Sequence, residues 1–226
     1  MSSELKLLHD RIWSECQKCR DMKTKLPLLF MPNRQVKIVL VTEGPWGEVS
    51  RAEIDQVKRH VLSPGNIFMY PFLYTIFNGK FRPDGDIERE PSTAYWTHMR
   101  KCFMKGEKSQ MLTACSEAYL RDEIRLVKPS LIIAIGGCAA KWFARYDQTL
   151  RSQLKISLEK AFLEQKDRFY SFDDSELSVD ADLVVLPHPS GQNAKLWKRL
   201  GDKHRPVTMT ILETLRKAVA TTLGDE

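Results

Sequence analysis

No apolar run in this chain approaches the ~18 residues that a membrane-spanning helix needs. The opening MSSELKLLHD is charged and amphipathic, without the apolar core of a secretory signal. Cysteine is scarce, with five in 226 residues. With no export signal these are expected to be cytosolic thiols rather than disulfides. A Gly-x-Ser-x-Gly elbow is missing, which argues against an α/β-hydrolase nucleophile. There is no internal repeat, low-complexity tract or interdomain linker, and eleven Gly with eleven Pro call for neither disorder nor a fibre. These absences leave one expectation: a cytoplasmic, monomeric chain with no membrane partner, forming a single domain over residues 1–226.

What is present fits that expectation. The chain is 42% hydrophobic and 28% charged, enough for a substantial core. A net charge of +6 and a pI near 9.0 suggest a polyanionic partner, or simply a basic surface.

Residues 36–42, VKIVLVT, form a β-branched run with almost no polar alternation. Such a strand has both faces buried, as in a parallel sheet. It stops on Glu43-Gly44-Pro45-Trp46-Gly47, which leaves a carboxylate just beyond its carboxyl end. In open α/β sheets ligands bind there.

Before this strand, residues 3–15 have helical spacing and lead into Cys16-x-x-Cys19, followed by a Pro-punctuated link over 27–33. After it come a basic amphipathic helix over 50–61 and an aromatic stretch over 66–77. A polar loop (78–91) and a second strand (94–99) follow. Residues 109–127 read as a helix ended by Lys128-Pro129. A third buried strand spans 131–135 and halts at Gly136-Gly137, with a helix starting near Cys138. Residues 150–162 read as an exposed helix, 166–182 as acidic and irregular, 183–187 as the fourth strand and 207–223 as a closing helix. Strands alternating with helices imply a three-layer α/β/α fold around a central four-stranded, mainly parallel sheet. Its strand ends deliver Glu43, His98, Gly136 and His188 to one edge.

The four cysteines Cys16, Cys19, Cys102 and Cys115 supply soft thiolates suited to tetrahedral zinc or to an iron–sulfur cluster, and spacing does not separate the two. Cys138 reads as a small core residue.

In order, the chain shows Cys16-x-x-Cys19, the strand with Glu43-Gly44-Pro45, Thr97-x-x-x-Lys101-Cys102, Cys115 with Tyr119-Leu120, a Lys-Pro-x-Leu-Ile-Ile strand ending in Gly136, and His188-Pro189-Ser190. This ordered set resembles the uracil-DNA glycosylase superfamily, most closely its iron–sulfur branch. The resemblance implies a uracil-DNA glycosylase-like fold, DNA as partner, and a 4Fe-4S cluster, ahead of zinc, on the four cysteines. Glycosidic cleavage takes the base out of the stack, builds oxocarbenium character on the sugar and releases the base as an anion. A carboxylate can orient water or stabilise the cation, and a donor can stabilise the anion. The resemblance assigns these roles to Glu43 and His188.

By the same resemblance the base pocket would comprise Gly44, Pro45, Trp46, Phe72, His98 and Ser190, although Phe72 reads equally well as core. His98 stands where the family typically has an Asn, Thr42 and Trp46 each replace a Gly, and Gly44 replaces an Ala. The base is therefore uracil or a modified pyrimidine, with a role in repair or in defence against phage DNA. The loop after His188 would grip DNA through Gln192, Lys195, Leu196, Lys198 and Arg199, with Leu196 or Trp197 as wedge and Lys101 and Arg100 on phosphate. The start of an amphipathic helix is the competing reading for 191–199. Residues 103–114 carry no His, so the covalent uracil trapping of a relative with a His-containing insert there is not expected. A metal-stabilised nucleic-acid-binding protein without catalysis is the alternative; it would need neither Glu43 nor His188.

Overall fold

A computed structural model describes residues 3–15, 29–44, 69–83, 91–101, 113–190 and 193–224. Strand β1 (Ile38–Thr42) pairs in parallel with β2 (Tyr95–His98) on one side and β3 (Leu131–Ile135) on the other. On its far side β3 pairs in parallel with β5 (Val179–Leu186), and β4 (Tyr170–Asp174) closes that edge antiparallel to β5. The strand order is β2-β1-β3-β5-β4. The sheet thus has five strands rather than the expected four. Acidic residues 166–182 hid a hairpin: Asp173, Asp180 and Asp182 face solvent while Phe172, Val179 and Ala181 face the core. Polar residues at every second position are a one-sided strand, not an irregular segment.

β1 and β3 are buried throughout. Successive side chains point to opposite layers. Val39, Val41, Ile132 and Ala134 join one core cluster, whereas Ile38, Leu40, Ile133 and Ile135 join the other. The first layer includes α1 (Ser3–Glu15), a π-helical turn (Ser116–Leu120) running into α3 (Arg121–Val127), and α4 (Gly137–Phe143). The second is covered by α2 (Met69–Ile76), α7 (Ala194–Lys203) and α8 (Arg205–Leu223). Among the described residues no helix is long and apolar enough to cross a membrane.

Residues 150–162 are not one exposed helix. Ser157 adopts an extended backbone between α5 (Gln148–Ile156) and α6 (Leu158–Glu164), and its side chain accepts from Lys160 N to start α6. Leu150, Ala161 and Phe162 are fully buried. The helix over 50–61 and the aromatics up to Phe68 lie outside the described residues.

A buried polar network ties α1, β2 and α3 together. Lys101 Nζ donates to Glu123 Oε2 at 2.5 Å, to Thr97 Oγ1 at 2.6 Å and to the His98 carbonyl at 2.6 Å. Glu123 also accepts from Thr97 Oγ1 at 2.9 Å and from the Tyr95 hydroxyl at 2.8 Å. Burial, and then the Glu123 carboxylate, push the Tyr95 phenol well above its usual range, so it stays a donor. His9 Nε2 meets the same hydroxyl at 2.7 Å. Lys101 and Glu123 are 1% and 0% exposed.

Lys101 is therefore a structural residue and not the phosphate contact the sequence suggested, because its ammonium is spent on three internal acceptors. Removing one partner of such a pair strands a buried charge. Lys101→Met is expected to lose about 3–5 kcal/mol of stability. Arg121→Met breaks the more exposed Arg121–Asp174 bridge and should lose about 1 kcal/mol or less. Urea unfolding of both variants checks the contrast.

Candidate active site at the carboxyl edge of the sheet

Because β1, β2, β3 and β5 run parallel, their carboxyl ends share one edge. Glu43 and Gly44 follow β1, His98 closes β2, Gly136 follows β3, and His188 lies two residues beyond β5. Chain crossings leave β1 toward β2 and β3 toward β5, so the edge between β1 and β3 is a topological switch point.

Register dictates the next contact. Thr42 lies opposite His98, and its hydroxyl meets His98 Nδ1 at 2.5 Å. Trp96 Nε1 donates to the same Thr42 oxygen at 3.2 Å. Phe30 stacks on Trp96, with ring centroids 4.9 Å apart and planes 2° from parallel, and its ring centroid lies 6.3 Å from that of His98. His98 is 3% exposed, and its Nε2 has no hydrogen-bond partner among the described residues. Burial first, then Lys101, Arg100 and His188, drive its pKa down to about 3. His98 is a neutral imidazole at any working pH.

Arg100 and Gly44 meet just beyond the ends of β1 and β2. A Cβ added to Gly44 would lie 2.9 Å from Arg100 Nε and 3.0 Å from one of its terminal nitrogens. The guanidinium occupies the space a side chain at 44 would take. Arg100 N donates to the Glu43 carbonyl at 2.9 Å, and Met99 N to the Thr42 carbonyl at 2.8 Å, prolonging the β1–β2 pairing past the strands. Arg100 Nε is buried and without a partner among the described residues.

His188 is held by its backbone. Its carbonyl accepts from Ser190 N at 2.9 Å, Asn193 Nδ2 at 3.1 Å and Trp197 Nε1 at 3.3 Å. Gly136, at φ +95°, lets the end of β3 pass this residue, its added Cβ falling 3.6 Å from His188 Cβ. Burial lowers the His188 pKa, and the nearby Glu43 carboxylate opposes that shift. Phe72, half-buried on α2, packs edge-on against Trp197 at 5.5 Å. The expected stacking residue is thus one ring removed from His188, packed on the tryptophan that holds it.

The structure brings together Glu43, Gly44, His98 and His188, with Phe72 and Ser190 beside them. Pro45, Trp46, Gln192, Cys16, Cys19 and Cys102 lie outside the described residues. Cys115 is buried and its Sγ accepts from Lys101 N at 3.4 Å. Lys195 and Lys198 are exposed on α7, and Arg199 is paired with Glu159 at 2.9 Å. Leu196 and Trp197 are not free wedges. Both are half-buried against the core of the second layer, as the helix reading of 191–199 required. Sequence reasoning missed Phe30 and Trp96 as the aromatic floor beneath His98. The signal was a Phe in the Pro-punctuated link and a Trp in β2, neither with a motif around it.

The depressed His98 pKa makes a stability prediction. The unfolded chain protonates His98 near 6.5 and the folded chain only near 3, so between those values the unfolded state binds more protons. Stability contributed by this residue is therefore lost as pH falls through that window, by about 1.4 kcal/mol per pH unit. His98→Asn removes the loss. Unfolding free energies of wild type and variant, measured in urea from about pH 6 to about pH 4.5, should diverge in the variant's favour with that slope. Parallel curves would contradict the assignment.

No curated protein matches the chain significantly. The sequence model of the uracil DNA glycosylase superfamily matches residues 30–209, a span that holds all five strands and every described residue of the edge. With the parallel sheet, its flanking helices and the strand-end residues in place, the chain belongs to the uracil DNA glycosylase superfamily.

Proposed function

We propose that the chain is a monomeric, monofunctional DNA glycosylase that flips out a pyrimidine and hydrolyses its N-glycosidic bond. The observation that supports this reading is the meeting of Glu43, His98 and His188 at the switch-point edge, where burial favours the neutral form of both histidines. In the reaction the C1′–N bond breaks with its electron pair going to the base. Water adds to C1′ and gives up a proton, and the base leaves protonated, so that an abasic sugar and a free base result. Glu43 stabilises the cationic sugar and orients the water. His188, a neutral imidazole, donates to the oxygen that gathers charge on the departing base, and its fixed backbone spares reorganisation at that moment. Lys195 and Lys198 on the solvent side of α7 contact phosphate, with the salt dependence such contacts carry. The substrate is DNA bearing uracil or a modified pyrimidine, in repair or in defence against DNA with modified bases.

Cys115 fits a metal centre held with Cys16, Cys19 and Cys102. It is buried, it accepts a backbone N–H as a thiolate does, and that N–H belongs to the residue preceding Cys102. A 4Fe-4S cluster there would pin the N-terminal segment to the end of β2 and take no part in the chemistry. Cys115→Ser should abolish the visible absorbance of purified protein and its bound iron; zinc in place of iron would identify the other metal.

Release of free base from oligonucleotides, followed by mass spectrometry and alkali cleavage of the product, tests the reaction. Glu43→Gln and His188→Ala should each slow release by roughly 10²- to 10⁴-fold. DNA affinity should stay unchanged. A binding protein without catalysis would release nothing and be indifferent to both substitutions.

A further inference from the structure

The carboxyl edge of the sheet contains two buried side-chain nitrogens without a partner among the described residues, His98 Nε2 and Arg100 Nε. Their polarity can be worked out from the residues behind them. Trp96 Nε1 can only donate, so the Thr42 oxygen accepts from it. The remaining contact of that hydroxyl is His98 Nδ1 at 2.5 Å. If Nδ1 carried the ring proton, Thr42 would accept twice and its own proton would be stranded in a site 2% exposed. If Thr42 donates to Nδ1, all three groups are satisfied and the ring proton sits on Nε2. The neutral state of His98 leaves no second proton. Arg100 Nε is a donor in every state. Both orphan groups are therefore donors, and no described acceptor answers either.

We propose that His98 and Arg100 form a donor-only edge that selects a pyrimidine whose N3 is an acceptor, a 4-amino (cytosine-type) base, over one with an N3–H. This rests on the glycosylase reading above and names its substrate class. Uracil presents acceptor, donor, acceptor along its pairing edge, so its N3–H would face another N–H. Cytosine presents O2 and N3 as adjacent acceptors, a match for two donors. A side-chain carboxamide at position 98 would offer both a donor and an acceptor and so could serve uracil; imidazole fixed as Nε2–H cannot. Unmodified cytosine occurs throughout DNA, so the substrate is confined to cytosines with a further ring substituent, read by groups other than these two. Thr42 is a positioning residue: it sets the tautomer without touching the base.

The test uses the full-length protein on oligonucleotides carrying one uracil, 5-hydroxymethyluracil, 5-hydroxymethylcytosine or glucosylated 5-hydroxymethylcytosine. Cytosine-type bases should be released at least about tenfold faster than the uracil-type base with the same substituent, the effect of one unpaired buried polar group. His98→Asn should reverse the preference, and Thr42→Val should erode it while His98 stays in place. Equal or faster release of the uracil-type base, or a ratio untouched by His98→Asn, overturns the proposal. If no base is released, the glycosylase reading fails on its own. The edge is then judged by affinity for oligonucleotides containing 2′-fluoroarabino-cytidine against 2′-fluoroarabino-uridine. Tighter cytidine binding that is lost in His98→Asn upholds the donor-only edge, and equal binding overturns it.

Discussion

The salt bridge between Lys101 and Glu123 is the constraint on which the site depends. Two charges taken wholly out of water persist only if every remaining lone pair and proton finds a partner. Here Thr97, Tyr95 and the His98 carbonyl provide those partners. A satisfied network of this kind admits few alternative arrangements. It fixes the end of β2, where His98 closes the strand and its carbonyl accepts from Lys101 Nζ. The same lysine presents its backbone N–H to Cys115. Thus one residue links Cys115 to the end of β2 through its main chain and its side chain.

Around that anchor the edge is electrostatically divided. Burial first, then Lys101 and Arg100, disfavour a proton on His98. Glu43 acts the other way on His188. Neutral imidazoles suit the proposed reaction, because each can donate to a base that is gaining negative charge. The basic surface of α7 lies on the neighbouring element, where Trp197 joins the helix to the His188 carbonyl. In the proposed function, holding the His188 backbone and meeting phosphate are tasks of opposite faces of one helix.

Much of this was legible in the sequence, for definite reasons. Residues 36–42 and 131–135 lack polar alternation, which only burial on both faces produces, and the strands lie there. Glu43 and His188 sit directly beyond strand ends broken by Gly or Pro, so their position at the edge followed from topology. The hairpin of β4 and β5 was obscured because one of its faces is acidic and solvated, and the break at Ser157 because a cap there looks like any surface serine. The role of Lys101 was misread since a lysine in a basic motif carries no mark of the glutamate 22 residues on. Thr42, Trp96 and Arg100 acquire meaning only through the β1–β2 register, which no local pattern specifies.

The measurement that bears most directly on this account is ¹⁵N NMR of the histidine rings in labelled protein, with His98 assigned by His98→Asn. The account predicts a neutral ring, protonated at Nε2 and bare at Nδ1, unchanged from about pH 8 to about pH 5 because its pKa lies far below the ordinary imidazole value. It also predicts that Thr42→Val disturbs that signal. A proton on Nδ1, or a ring that titrates near 6.5, would contradict it.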